Sequence, residues 1–173
     1  MQGNFERSLA FDTWFRVPAE RYLASWQKAL EHVRASGGAF DDLDAALADP
    51  ERVTALVLGH AGLDALSPEI GRLVNIQHLN LFMNRLTTLP PEIGRLKRLR
   101  WVDLRYNRIT TLPETCASLE ALESINLAGN RLEAIPDWVA TLPKLTTFYV
   151  SSNPIEPASL EHVRRLRPDL SFD

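Results

Sequence analysis

A period of 23 residues organises the chain from Val53 onward. Aligned on their first apolar residue, the copies begin at Val53, Ile76, Leu99, Leu122 and Leu145, and the fifth is incomplete. Each reads close to LxxLxLxxNxLxxLPxxIxxLxx. The second copy places Ile76, Leu79, Leu81, Asn84, Leu86, Leu89, Pro90, Ile93 and Leu96 on that pattern. The fourth places Leu122, Ile125, Leu127, Asn130, Leu132, Ile135, Pro136, Val139 and Leu142 on it. A fixed period of this length means stacked units, because one copy cannot bury its own apolar side chains.

Within a copy the LxL step has the alternation of a strand. Leu79 and Leu81 point one way while His78, Asn80 and Phe82 point the other. The next copy, about 4.8 Å away, supplies Val102 and Leu104 and closes the core in a parallel ladder. Asn84, Asn107, Asn130 and Asn153 recur at the bend after the strand, where an inward amide satisfies backbone groups of neighbouring turns. The first copy has Ala61 there, so the ladder should start one rung late. The return side carries Leu-Pro, and proline, with its fixed φ and no donor, ends the extended run and opens a short helical or 3₁₀ turn.

These residues resemble the leucine-rich repeat family in its 23-residue Leu-Pro form, over 53 to about 155, with departures in the first copy at Ala61 and Ser67. The resemblance implies an α/β solenoid, with a curved parallel sheet inside and short helical or 3₁₀ turns outside. It further implies ligands that are proteins held on the concave face.

The ends read as caps, giving 1–52 as arm and N-terminal cap, 53–155 as repeats and 156–173 as C-terminal cap. Leu23, Trp26, Leu30 and Val33 form a helical stripe between Pro18 and Gly37-Gly38, and a short helix is expected over Asp42 to Ala48 with Asp41 as N-cap. The stripe is expected to cover the first repeat, with a docking or dimerising helix as the alternative. Residues 1–17, with Phe11, Trp14 and Phe15, either pack on that cap or form an adhesive arm. At the other end a helix with Leu160, Val163 and Leu166 on one side is expected, followed by Leu170 and Phe172. Closed at both ends, the chain is expected to be a complete domain, monomeric unless the arm pairs.

Net charge is −3 with 19 basic and 22 acidic residues, a balance that favours neither nucleic acid nor an anionic membrane. The one cysteine allows no intrachain disulfide, and no signal or spanning segment is legible, so a cytoplasmic setting is expected, with secretion as an effector left open. Cys116 takes the place of Ile93 and Val139 and reads as a buried hydrophobe. His60 and His78 lack a third ligand, and Asp103 with Arg105 reads as a surface pair. Neither metal, cofactor nor catalysis is expected.

The side chains turned away from the core mark the candidate site. Phe82, Met83, Trp101, Tyr106 and Tyr149 should share one exposed face with Arg105, joined by His78, Asn80 and Asp103. Trp, Tyr and Arg dominate binding hot spots, so an unknown protein partner is expected there. Ser124, Asn126, Ala128 and Gly129 leave a shallow step beside them. Mutual packing of the rings is the alternative, as are a glycan ligand and a non-catalytic place in an effector or ligase complex. Arg72, Arg95, Lys97, Arg98 and Arg100 read as a solvated basic rim, and Trp138 as half-exposed on the outer arc.

Overall fold

The computed structural model describes residue 35 and residues 37–172. The stripe from Leu23 to Val33 and the arm over 1–17 lie outside the described residues. Among the described residues, seven strands form one parallel sheet whose spatial order follows the chain. They are β1 (Ala39–Phe40), β2 (Ala55–Val57), β3 (His78–Asn80), β4 (Trp101–Asp103), β5 (Ser124–Asn126), β6 (Thr147–Tyr149) and β7 (Ser171–Phe172). From β2 to β6 the register is one strict 23-residue shift per strand, so Leu56, Leu79, Val102, Ile125 and Phe148 stand in one row. That row points into the core between sheet and turns, and every member is buried. The end strands β1 and β7 were not legible, since Ala39–Phe40 and Ser171–Phe172 are too short to show an alternation.

The return side is built from four 3₁₀ turns, Pro68–Arg72, Pro91–Arg95, Glu114–Ser118 and Asp137–Thr141. Pro90, Pro113 and Pro136 sit just before the last three with φ near −65°, at −68, −66 and −62. Ser67 replaces proline in the first copy, and its hydroxyl accepts from the Glu69 N–H at 3.2 Å, an alternative way to start the turn. The turns stack closely. A Cβ on Gly94 would lie 2.5 Å from the Thr115 carbonyl oxygen, so that position has no room for a side chain.

The asparagine ladder is present in full. Asn107 Nδ2 donates to the Leu81 and Leu104 carbonyls at 2.9 and 3.0 Å, and its Oδ1 accepts from the Leu86 N–H at 3.1 Å. Asn84, Asn130 and Asn153 repeat the arrangement one copy away each time. It starts at Asn84, which also serves the first copy by accepting from Leu63 N–H, as the Ala61 departure implied.

The caps need corrections. Helix α1 (Leu43–Ala48) is capped by Asp42 rather than Asp41: Asp42 Oδ1 accepts from the Ala45 N–H at 2.8 Å, the three-residue reach of an N-cap. In helix α2 (Pro157–Leu166) Val163 is buried but Leu166 is 52% exposed. Steps of three residues lag a 3.6-residue turn by about 60° each, so Leu166 rotates off the packed face. Arg167 takes over the closing role, donating to the Leu142 and Leu145 carbonyls at 3.0 and 2.8 Å while Asp169 grips its other edge. Trp138, expected half-exposed, is 5% exposed, because α2 packs against its turn.

Candidate functional site on the concave face

Four rows of side chains leave the sheet on its inner side. The first is Ala55, His78, Trp101, Ser124 and Thr147, and the second is Val57, Asn80, Asp103, Asn126 and Tyr149. The second row is a polar ladder with a backbone task. Asn80, Asp103 and Asn126 each accept, through Oδ1, from the N–H two residues on, at 3.0, 3.1 and 3.1 Å. The strand ends there, and this N–H turns away from the neighbouring strand, so a short side-chain acceptor satisfies it locally. Asn126 was read as part of a shallow step; its shared column with Asn80 and Asp103 was the available signal.

The third row holds Phe82 and Arg105 one strand apart. Arg105 and Asp103 form a forked pair: Nη2 donates to Oδ2 at 2.6 Å and Nε to both carboxylate oxygens at 3.0 and 3.1 Å. The guanidinium also lies 4.9 Å from the Phe82 ring centre. Asp103 is 0% exposed, Arg105 2% and Phe82 1%, which corrects the expectation of an exposed surface pair and an exposed ring. Asn80 and His78 are buried as well, whereas Met83, Trp101, Tyr106 and Tyr149 stay half-buried. A bulky residue on a parallel ladder is crowded by identical positions above and below, and the fork folds Arg105 down onto its own strand.

The fourth row is set by the backbone. His60, Met83, Tyr106 and Ser152 adopt φ of 59, 51, 53 and 56°, and Gly129 adopts 70° at the same place in its copy. Glycine is the unstrained choice there, and a side chain in this left-handed region costs about 1 kcal/mol. Three copies nevertheless carry a large side chain. His60 meets Phe82 edge-on at 5.1 Å, and Phe82 meets Tyr106 edge-on at 5.7 Å. His78 lies over Trp101 at 4.4 Å with planes 30° apart, and Arg100 covers that indole at 4.4 Å while donating twice to Glu123. Four of the site residues expected from sequence therefore come together in two ring groups, His78–Trp101 and Phe82–Tyr106, joined by Arg100, which was read as part of the solvated rim, and by His60. Tyr149, two strands away from Trp101, stands apart from both.

The titratable side chains His78, Asp103 and Arg105 of the face are buried, and the last two are paired. Burial, and then the Arg100 charge, lower the His78 pKa from 6.5 to about 4, so the ring is neutral at pH 7. Asp103 has its carboxylate committed to Arg105 and to a backbone N–H. Outside the face, burial and then Glu114 push the Cys116 thiol up to about 12, and the side chain packs in the core. Among the described residues there is no cluster of three metal-ligating side chains. The basic rim is largely engaged: Arg72 pairs with Glu69, Lys97 donates to the Ser118 carbonyl and Arg98 to Asn75.

A family model described as leucine rich repeat matches residues 97–155, and a second of the same description matches 75–96. The chain is a leucine-rich repeat protein. A solved leucine-rich repeat protein of Leptospira interrogans is 35% identical, with a TM-score of 0.61 over 63% of this chain. This chain spans 28% of that longer one. No curated protein matches it. Among the described residues of this leucine-rich repeat protein, no helix is long and apolar enough to cross a membrane.

Proposed function

We propose that this leucine-rich repeat protein is a protein-binding module whose concave face holds a partner through Trp101, Tyr106, Met83 and Tyr149. Phe82, Arg105, Asp103, Asn80 and His78 form the rigid floor beneath them rather than the contact layer. The observation that carries this reading is the fourth row: large side chains held at left-handed positions where glycine would be unstrained. Such strain is useful where a ring must be presented in one fixed direction. The fixed floor means that few rotamers are lost when a partner docks. With a single cysteine in the chain, the proposal sets the module in a reducing compartment.

The test is quantitative capture of a partner by wild type and by Trp101→Ala/Tyr106→Ala, from lysate of the source organism. Loss of a partner by the double variant, with a melting temperature within a few degrees of wild type, is the expected outcome. Leu104→Ala is the contrast, since a cavity in the core costs about 2–5 kcal/mol and unfolds the stack instead. Equal capture by wild type and double variant would overturn the reading.

A further inference from the structure

Arg85, Arg108 and Arg131 follow the ladder residues Asn84, Asn107 and Asn130 at the strict 23-residue interval, and all three are exposed. Their backbones are bonded in register. The Arg85 N–H donates to the Leu63 carbonyl at 2.8 Å, that of Arg108 to Leu86 at 2.9 Å and that of Arg131 to Ile109 at 2.9 Å. Three arginines therefore stand in one column, about 4.8 Å from rung to rung. Gly62 and Pro154 take the same place in the first and fifth copies, which limits the column to three. Like charges directly opposite on neighbouring strands destabilise a sheet. Near the start of β4 the repeat does the reverse and sets opposite charges one copy apart, as in Lys97 with Glu120 and Arg100 with Glu123. In the column Arg85 has Asp64 at 3.8 Å. Among the described residues Arg108 and Arg131 make no ion pair and no side-chain hydrogen bond.

We propose that this column docks a short acidic segment of the protein partner, whose carboxylates meet Arg85, Arg108 and Arg131 while its body rests on the concave face. This rests on the protein-binding reading and adds the chemistry of the partner. Placement supports it, because each arginine stands two residues beyond Met83, Tyr106 or Gly129 and so borders the row of presented side chains. Chemistry supports it as well. A guanidinium fork holds a carboxylate through two parallel hydrogen bonds. Thr87 and Thr110 are exposed beside Arg85 and Arg108, with Leu86 and Ile109 buried between them, and add hydroxyl donors. An acid bounds the column at each end: Asp64 faces Arg85, and Glu133 stands exposed two residues after Arg131. The matching ligand is therefore short, and its centre falls on Arg108. A nucleic acid fits poorly, since a long polyanion leaving the column meets a chain with 22 acidic residues against 19 basic ones.

The experiment is an NMR titration of the full chain with a hexaglutamate peptide, following the arginine side-chain N–H signals. Shifts are expected at Arg85, Arg108 and Arg131, largest at Arg108, in about 0.01 M salt, and are expected to vanish in about 1 M salt, where the screening length falls from about 30 to about 3 Å. Arg85→Gln/Arg108→Gln/Arg131→Gln should weaken the peptide by about tenfold or more, the scale of losing several charge-assisted contacts. Arg72→Gln/Arg95→Gln/Arg98→Gln removes the same charge from the other rim and should leave binding within about twofold of wild type, since those side chains lie away from the column. The column variant should also melt no lower than wild type, because a stack of like charges has been removed. Equal weakening by both triple variants would overturn the proposal, leaving net charge alone as the cause. A hexathymidylate oligonucleotide held more tightly than the peptide would overturn it in favour of nucleic acid, and a marked fall in melting temperature in the column variant would assign the arginines to the fold instead. Failure of the underlying reading looks different: Trp101→Ala/Tyr106→Ala would capture its partner as well as wild type does, whatever the peptide shows.

Discussion

The ring of Tyr106 lies on the bare backbone of Gly129. A Cβ at Gly129 would stand 2.7 Å from Tyr106 Cδ1, and Gly129 itself has φ of 70°. The small-residue step in the fourth copy is thus the seat of the ring presented by the third.

Gly129→Ala should act twice, through backbone strain and through displacement of the ring. The expected loss is about 1–2 kcal/mol, seen as a lower denaturation midpoint with an unchanged slope. Tyr106→Ala/Gly129→Ala should recover the part due to the clash, because the ring is gone. A double variant no more stable than Gly129→Ala would show that the ring does not need this seat.

Arg105→Ala should destabilise by about 3–5 kcal/mol, because it leaves the Asp103 carboxylate buried without its fork. Asp103→Asn/Arg105→Met should cost less, since the asparagine still accepts from the backbone N–H and no charge is stranded. Urea unfolding of wild type and the two variants decides it, and a loss in the double variant equal to or larger than that of Arg105→Ala would contradict the argument.

Stability should also depend on His78. Its pKa is lowered from 6.5 to about 4 on folding, so the unfolded chain binds the proton more readily. Stability is therefore undiminished above pH 6.5, falls as the pH drops below it, and levels off near pH 4. The total is about 3 kcal/mol from this one group. His78→Phe keeps a ring against Trp101 and should flatten that part of the curve. Denaturant midpoints at pH 7, 5.5 and 4 for both proteins would test it; parallel curves would exclude His78 as the source.

Asn107→Ala should cost about 3 kcal/mol, because two buried carbonyls and one N–H lose their partner together. Asn153→Ala, at a half-buried rung, should cost less. Thermal melts of the two variants give the comparison, and equal losses would contradict the dependence on burial.

The repeat was legible because its residues answer to local rules that recur every 23 positions. Asn84 to Asn153 and the Leu-Pro steps each have a backbone task, and the same task yields the same residue. The face was legible in placement but not in exposure. Alternation puts Phe82 and Arg105 on the concave side, yet alternation does not fix how deeply they are buried. Asp103 misled for a related reason: sequence shows an acid two residues from a base, while the N–H of Arg105 and the crowding between strands decide that both fold down. Leu166 and Asp41 each missed by a small rotation or a single residue at a helix end, where capping geometry outweighs pattern.

The even spacing of the strands makes this face a ruler, and a ruler can be mismatched. Its rungs stand about 4.8 Å apart, whereas an α-helix laid across them repeats every 5.4 Å. Over the four intervals from β2 to β6 the two scales drift apart by about 2.4 Å, half a rung. A straight helix registered on β4 is therefore off by about 1.2 Å, a quarter of a rung, at β2 and β6, and the mismatch doubles in an array twice as long. Solenoid length itself becomes a filter on which helical ligands can stay in phase from one end of the face to the other.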